Sequence, residues 1–482
     1  MHEWKKIFYI LSLFLFLFSF SFFLPFFVSL VYAEKTWQAF AESFLITLFV
    51  SGLFYVFSYK QKDRELHSRD GFILVVFMWL FTILFSALPY LFCHTFPTFT
   101  DCFFESASGY TTTGASCLEY IESSPKGILF WRSLTQWLGG MGIIVLYIAV
   151  LPMLGSGGIK LFSAEAPGVK LEKVRPRIKE MAKTLWLVYI FFTILEVILL
   201  LFGGMSLFDA VCHSFSTLST GGFSTKNSSI AYFHSAYIDI VVIIFMFIGA
   251  VNFSLHWRVF NKKVFDYWKS EEFRMYVFLL IISTVVIFAD SLSFYGWNIL
   301  KTLQYTVFQV IACSSTTGFT TYNFDSWHVF SKIVLLFLMV IGGMAASTAG
   351  GIKVIRFAIA KKLVNMVTHK LVHPHTVKEV TFNGEVVSKD VLYAVVGMIF
   401  LYIILFFIGS LFVSFSADIV TAMSATIACL SNIGPGLKGV GPTANYAHFS
   451  ILSKWVLSFC MIVGRLEFYT ILVLFSVSFW RR

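Results

Sequence analysis

Ten long apolar stretches alternate with short polar segments along the chain, at about 7–32, 37–58, 71–94, 128–154, 184–203, 236–260, 273–296, 329–360, 389–414 and 448–480. Each is about 20 residues or longer, the length a helix needs to cross roughly 30 Å of hydrocarbon. The pattern therefore predicts ten long spans. Between spans three and four, five and six, seven and eight, and nine and ten lies a further, mostly apolar segment of about 11 to 15 residues, too short to cross. Each of these segments ends in a glycine loop, and we read each as a re-entrant half-helix.

The four loops repeat one pattern: Thr111-Thr112-Thr113-Gly114-Ala115, Ser219-Thr220-Gly221-Gly222-Phe223, Ser315-Thr316-Thr317-Gly318-Phe319 and Ser431-Asn432-Ile433-Gly434-Pro435. A hydroxyl residue stands three positions before each final glycine, and these glycines recur at intervals of roughly 100 residues, the mark of an internally duplicated chain. Four such loops around one axis can present backbone carbonyls in place of a cation's water shell. The expected ligands are the carbonyls of Thr112, Thr113, Thr220, Gly221, Thr316, Thr317, Asn432 and Ile433, with Gly114, Gly222, Gly318 and Gly434 supplying the turns. A half-helix that points its partially negative C-terminus at the axis favours a cation there. None of the loops carries a carboxylate, which suits a monovalent ion better than a divalent one. Asp101 and Asp209 each stand thirteen positions before their glycines, at the start of the first two half-helices, where capping is the expected role.

Composition agrees with the spans. Hydrophobic residues make up 58% and charged residues only 13%, against about a quarter charged in soluble domains, and the mean hydropathy is +0.80. The net charge of +10 belongs to the loops between spans, so no nucleic-acid partner is expected. With the N-terminus, the loops at 59–70, 155–183, 256–274 and 353–389, and the C-terminus on one side, that side holds roughly three quarters of the 36 Lys and Arg residues. The positive-inside rule then puts both termini in the cytoplasm and all four glycine loops outside. The first apolar run ends in a cleavage-like Val31-Tyr32-Ala33. At about 25 residues it is longer than a signal core of about 7 to 15, and it is expected to be retained. Seven cysteines without metal-like spacing imply no disulfide framework, although Cys102 and Cys117 could face the oxidising side and pair, and Cys212, Cys313 and Cys429 are expected to pack before the loops.

A second repeat lies deeper. Gly139-Gly140-Met141 is followed by Gly157-Gly158-Ile159-Lys160, and Gly342-Gly343-Met344 by Gly350-Gly351-Ile352-Lys353. The stretch Gly342 to Gly351, GGMAASTAGG, is small and polar enough to unwind, which a membrane tolerates where backbone lines water or packs on protein. A phosphate-binding loop is excluded, because Ile352 separates Gly351 from Lys353 and no Ser or Thr follows. Arg465 stands inside the last span, where an ionisable group is costly enough to be a functional candidate. Glu467, two positions on, would face elsewhere on a helix, so loop carbonyls or pore water are its expected partners. Glu196, Asp239 and Asp290 receive no role. His369, His373 and His375 show no metal-ligand pattern, and the basic stretch around them could meet a regulator or anionic lipid.

The loops TTTGA, STGGF, STTGF and SNIGPG, with the extra N-terminal pair of spans, resemble the Trk/Ktr/HKT superfamily of potassium transporters over essentially the whole length, and its TrkH/TrkG branch in particular. The resemblance implies an all-α polytopic membrane protein: an extension over 1–70, then four pore repeats at 71–182, 183–272, 273–388 and 389–482. It implies potassium at the filter residues Thr112, Thr113, Gly114, Thr220, Gly221, Gly222, Thr316, Thr317, Gly318, Asn432, Ile433 and Gly434. It also implies a gating loop over 342–351, comprising Gly342, Gly343, Ala345, Ala346, Ser347, Thr348, Ala349, Gly350 and Gly351, which works with Arg465 as a pore arginine. The implied setting is the bacterial inner membrane, as a homodimer with one pore per subunit and a cytosolic, TrkA-like nucleotide-binding regulator. A sodium-coupled transporter of the KtrB kind, or a filter that also admits sodium, stays open on the loops alone. A membrane enzyme would need clustered acids, a metal motif or an activated nucleophile, and the loops contain none.

Overall fold

The computed structural model describes residues 4–59, 68–149, 174–260 and 265–480. Helix α1 (Trp4–Val31) and helix α2 (Trp37–Ser58) form an N-terminal hairpin. Four times thereafter a long helix, a short helix, a glycine loop and a further helix follow one another. The first set is α3 (Arg69–Phe92), α4 (Phe99–Tyr110) and α5 (Lys126–Ala149). The second is α6 (Val174–Phe202), α7 (Leu207–Leu218), α8 (Ala236–Ala250) and α9 (Phe253–Phe260). The third is α10 (Glu271–Ser291), α11 (Ile299–Ser314), α12 (Val329–Ile341) and α13 (Val354–Val372). The fourth is α14 (Lys389–Val413), α15 (Ile419–Leu430), α16 (Ile451–Arg465) and α17 (Phe468–Phe475).

Among the described residues six helices are long and apolar enough to cross a membrane unbroken, and eight if two bent pairs each count as one span. The expected stretch 236–260 is not one straight helix: α8 and α9 meet at 106° across Val251 and Asn252. The expected stretch 448–480 bends by 114° between α16 and α17, immediately after Arg465. Neither bend contains proline. At the first, the amide of Phe253 donates to Ala346 O at 3.1 Å and the amide of Ser254 to Asn252 Oδ1 at 2.8 Å, so contacts outside the helix ladder hold the turn. At the second, Glu467 adopts φ 56°, a left-handed conformation that ends the helix. The stretch 329–360 is interrupted between α12 and α13, as expected. Of 128–154, the described part is helical to Ala149, and Gly157-Gly158-Ile159-Lys160 lies outside the described residues.

Three of the four short helices start with side-chain caps, and the fourth, α15, follows Asp418 without one. Thr98 Oγ1 accepts from the Asp101 amide at 3.2 Å, Ser206 Oγ from the Asp209 amide at 3.1 Å and Asn298 Oδ1 from the Lys301 amide at 3.1 Å, each satisfying an orphan donor of the first turn. The capping expected of Asp101 and Asp209 is done by Thr98 and Ser206 instead, whose hydroxyls donate in turn to the two carboxylates. Helix α4 is buried from Asp101 to Tyr110, so this short helix sits in the core rather than at its rim.

The hydrophobic cores are shared around a circle. One contains side chains of α1–α5 with α14–α17, the next joins α5–α8 with α11, and a third joins α8–α12 with Ile433 of the fourth loop. First and last sets thus meet, and the Lys454–Asp101 ion pair at 2.5 Å bolts α16 to α4. The N-terminal hairpin is fixed from outside: Glu34 caps α5 by accepting from the amides of Lys126 and Gly127 at 2.6 and 2.9 Å, and Phe22 packs on Trp131 with ring centroids 4.9 Å apart. All seven cysteines are free, Cys102 and Cys117 among them.

Candidate functional site

Each short helix ends in the same way. The amides of Thr113, Gly221, Thr317 and Ile433 donate to Ser108 O, Ser216 O, Ala312 O and Ala428 O at 2.8 to 3.0 Å, five residues back. This is the six-to-one bond of a Schellman cap, which needs a left-handed residue just before it. That residue is usually glycine, but here it is Thr112 (φ 53°), Thr220 (φ 54°), Thr316 (φ 59°) or Asn432 (φ 57°). A non-glycine in this conformation costs roughly 1–2 kcal/mol, so the same strain held four times marks one repeated requirement. Two residues on, Gly114 (φ 80°), Gly222 (φ 78°), Gly318 (φ 74°) and Gly434 (φ 96°) turn the chain again.

The glycines close a ring. A β-carbon on Gly114 would fall 2.2 Å from Gly221 O, one on Gly222 1.9 Å from Thr317 O, one on Gly318 1.9 Å from Ile433 O, and one on Gly434 2.7 Å from Thr113 O. The order first, second, third, fourth and back to first runs once around a single axis. The four carbonyls that stand just before the glycines are therefore brought together, each against the glycine of a neighbouring loop. Above them opens a cavity of about 220 Å³ lined by Gly114, Gly222, Gly318 and Gly434 among others. No carboxylate belongs to the four loops, and the negative ends of four helix dipoles converge on them.

Where the short helices finish, the segment between α12 and α13 makes a closed excursion. The amides of Ile352 and Lys353 donate back to Val340 O and Ile341 O at 3.0 and 2.8 Å, pinching its base. Gly342 (φ 72°) and Gly351 (φ 75°) permit that pinch, since a β-carbon on Gly342 would fall 2.2 Å from Gly350 O. The tip reaches three of the four sets. Thr348 Oγ1 lies 2.9 Å from both Leu218 O and Gly249 O, the Gly350 amide donates to Thr316 Oγ1 at 2.7 Å, and Gly350 has no room for a side chain beside Ser431 O. The Ala345 amide donates to Glu272 Oε1 at 2.7 Å, and Ser347 Oγ to Met344 O at 2.5 Å. Arg465, 3% exposed, arrives from α16 and donates through Nη1 to Thr348 O at 2.6 Å and through Nη2 to Gly139 O at 3.4 Å, which brings in the first set as well. Gly343 and Ala349 are buried in this plug and Ala346 is half-buried; a β-carbon on Gly343 would meet Ala349 Cβ at 2.6 Å.

A family profile described as "TrkH: Cation transport protein" matches residues 36–481. The chain belongs to the TrkH family. It is 41% identical to the Trk system potassium uptake protein TrkH of Salmonella typhimurium over 467 residues, 95% of either chain. The Escherichia coli protein named TrkG is 35% identical, over 95% of this chain and 94% of its own. Among solved structures, the crystal structure of the potassium transporter TrkH from Vibrio parahaemolyticus superimposes with a TM-score of 0.90 at 36% identity, covering 99% of this chain and 100% of that one. TrkH-family membership makes this chain a multi-pass membrane protein of the transporter class, not an enzyme.

Of the eight carbonyls expected as ligands, those of Thr113, Gly221, Thr317 and Ile433 stand against the ring glycines, while Thr112, Thr220, Thr316 and Asn432 are the left-handed residues just before them. The carbonyls beside Gly114, Gly222 and Gly318 are those of Gly221, Thr317 and Ile433, and that beside Gly434 is Thr113. Arg465 finds loop carbonyls and not Glu467, as its spacing implied; Glu467 instead pairs with Arg356 at 2.6 Å. Of the three acids without an expected role, Asp239 accepts from Gln304 at 2.7 Å, Asp290 accepts from Ser331 at 2.5 Å, and Glu196 is wholly buried. The sequence pattern singled out neither Arg132 nor Gln136, and Gly140 only as part of the Gly139-Gly140-Met141 repeat. They stand at i, i+4 and i+8 on α5, one helix face, beside the second loop. Two large polar side chains a turn apart in an otherwise apolar span were the available signal.

Proposed function

We propose that this chain takes up potassium through the ring of glycine loops, and that the plug beneath the ring gates the flow. Thr112, Thr113, Thr220, Gly221, Thr316, Thr317, Asn432 and Ile433 supply carbonyls to a dehydrated potassium ion, and the four ring glycines keep the backbones close. The observation that carries this reading is the cyclic glycine-to-carbonyl contact, which gathers four uncharged acceptors on one axis. Neutral acceptors bind a monovalent ion loosely enough for it to leave. The names of the relatives, all components of Trk potassium uptake systems, agree with that cargo.

Residues 342–351 and Arg465 act as the barrier: a fixed positive charge and a folded loop sit where an ion leaving the ring would pass. The extension 1–70 and the four pore units 71–182, 183–272, 273–388 and 389–482 form one subunit of a homodimer in the inner membrane, with both termini cytoplasmic and a TrkA-like nucleotide-binding regulator on that side. An inside-negative potential of roughly 150 mV supplies about 3.5 kcal/mol per monovalent cation, or several hundred-fold accumulation, without ATP hydrolysis by this chain.

The test is rubidium uptake into proteoliposomes, with wild type compared with Gly318→Ser. We expect wild type to carry rubidium and potassium in preference to sodium, and the variant to lose that preference. Wild type that carries neither ion overturns the reading, and an unchanged potassium-to-sodium ratio in the variant removes the ring from it.

A further inference from the structure

The second loop lacks a part that the others have. Immediately before the ring glycine stand Thr113, Thr317 and Ile433 in loops one, three and four, but Gly221 in loop two. Two of those side chains brace their own loops. Thr113 Oγ1 lies 2.7 Å from Thr111 Oγ1 and accepts from Asn432 Nδ2 at 3.0 Å, and Thr317 Oγ1 lies 2.8 Å from Ser315 Oγ. Ile433 is buried in an apolar cluster. Gly221-Gly222 therefore places two adjacent glycines, the residues with the most backbone freedom, in one quarter of the ring.

Gln136 fills the missing place from a different set of helices. A β-carbon on Gly221 would fall 2.3 Å from Gln136 Cδ and 2.5 Å from its Oε1. The side chain is wholly buried, its Nε2 donates to Gly221 O at 2.6 Å, and its Oε1 accepts from the Phe223 amide at 3.0 Å. Only one orientation of the amide satisfies both bonds. They straddle Gly222 and fix the peptide on each side of it. One turn earlier on α5, Arg132 donates to Ser224 O at 3.3 Å with its guanidinium 4.1 Å from the Phe223 ring centroid; one turn later, Gly140 meets Ser219. Helix α5 thus indexes the second loop at three successive turns.

We propose that Gln136 is a specificity-determining positioning residue: it replaces in trans the side chain absent from Gly221 and holds the Gly221 carbonyl at the distance a potassium ion needs. A sodium ion, being smaller, requires the carbonyls to move inward, and the Gly221-Gly222 pair would yield most easily without the brace. The proposal rests on the ring being the selective element.

The experiment measures rubidium and sodium uptake in proteoliposomes containing equal amounts of purified protein. The variants are Gln136→Met, Gly221→Thr, the double variant Gln136→Ala/Gly221→Thr, and Gly318→Ser. Gln136→Met keeps the length of the side chain and removes both hydrogen bonds. Its rubidium-to-sodium ratio should fall about fivefold to tenfold, the factor one net hydrogen bond is worth. Gly221→Thr alone should lose uptake, because its side chain meets Gln136. The double variant should regain most of the ratio, since the space is vacated and Ser219 can pair with the new hydroxyl as Ser315 does with Thr317. If Gly318→Ser lowers the ratio while Gln136→Met leaves it within twofold, the role of Gln136 is overturned and the ring reading stands. If neither moves it, both fall. Should Gln136→Met not be recovered folded, the double variant decides: a restored ratio supports the proposal, and a low ratio in folded protein overturns it.

Discussion

Arg132 and Glu105 carry a buried charge pair at 1% and 0% exposure, 2.8 Å apart, and the pair ties two glycine loops together. Glu105 Oε2 accepts from the Cys117 amide at 2.9 Å, while Arg132 reaches Ser116 Oγ at 3.0 Å and Ser224 O. Removing one member strands the other in a low dielectric, a loss of about 3–5 kcal/mol where such pairs have been broken. Arg132→Met is expected to lower the thermal unfolding midpoint in detergent well below wild type, and Arg132→Met with Glu105→Met to recover part of it, as read by melting curves. The ring glycines act by contact and strain instead. Gly222→Ala would put a β-carbon 1.9 Å from Thr317 O at φ 78°, whereas Gly52 on α2 has nothing within 4 Å. We expect Gly222→Ala to reduce rubidium uptake by at least about tenfold, since roughly 1–2 kcal/mol of left-handed strain adds to the steric contact, and Gly52→Ala to leave uptake unchanged. At this scale the ring glycines and the reach of Arg465 for loop carbonyls were legible, because residue type and depth in a span constrain them. Gln136 was not, because its partners are 85 and 87 residues away along the chain.

At the scale of elements, the decisive features are the places where helices stop. The break after Ile341 was legible in GGMAASTAGG, since small residues make unwinding cheap. The 106° bend at Val251 and Asn252 was not, because it depends on Ala346 O meeting the Phe253 amide from another set of helices. The bend after Arg465 has a comparable origin: Glu467 is held by Arg356 at 2.6 Å, at the first turn of α13, so the segment below the ring is gripped on both sides. If this assembly is the barrier, deleting Ala345 to Ala349 raises basal rubidium flux in the absence of any regulator, and Arg465→Ala, which loses the bonds to Thr348 O and Gly139 O, raises it in the same direction. Unaltered flux in both would count against the gate. A further element appears where the chain pattern suggested only a basic loop. Strands Thr381–Phe382 and Glu385–Val386 pair around Asn383-Gly384, both at positive φ, the turn chemistry of a tight hairpin. Asn383 exchanges hydrogen bonds with Glu271 at the start of α10, at 2.8 and 3.0 Å, and this docks the hairpin.

For the molecule as a whole, the N-terminal hairpin is an external clamp on the first set. Its polar link is Glu34 on the first two amides of α5. Glu34→Ala removes a cap, and about 1 kcal/mol of stability is expected to go with it, seen as a modest drop in the melting midpoint without loss of ion preference. Transport by a passive, singly charged path follows the membrane potential. Rubidium accumulation in proteoliposomes should rise about tenfold for each roughly 60 mV of imposed inside-negative potential, with no nucleotide required on this chain. Accumulation steeper than this would mean that a second ion moves with it.

The sequence by itself determined where the apolar helical segments lie, the four short helices and their glycine loops, and the interrupted third set, because hydrophobic length, turn residues and small-residue runs are local properties; it did not show the bends that break 236–260 and 448–480. Lys and Arg placement set an expected orientation in the same local way. Tertiary structure alone decided that the four loops close in cyclic order, carbonyl against glycine, that the 342–351 excursion reaches Leu218 O and Gly249 O of the second set, and that α5 braces the second loop through Gln136. Each of these joins residues from different quarters of the chain. No local pattern encodes a distance between segments about 100 residues apart; it is fixed only when shared apolar cores wrap the four sets around one axis.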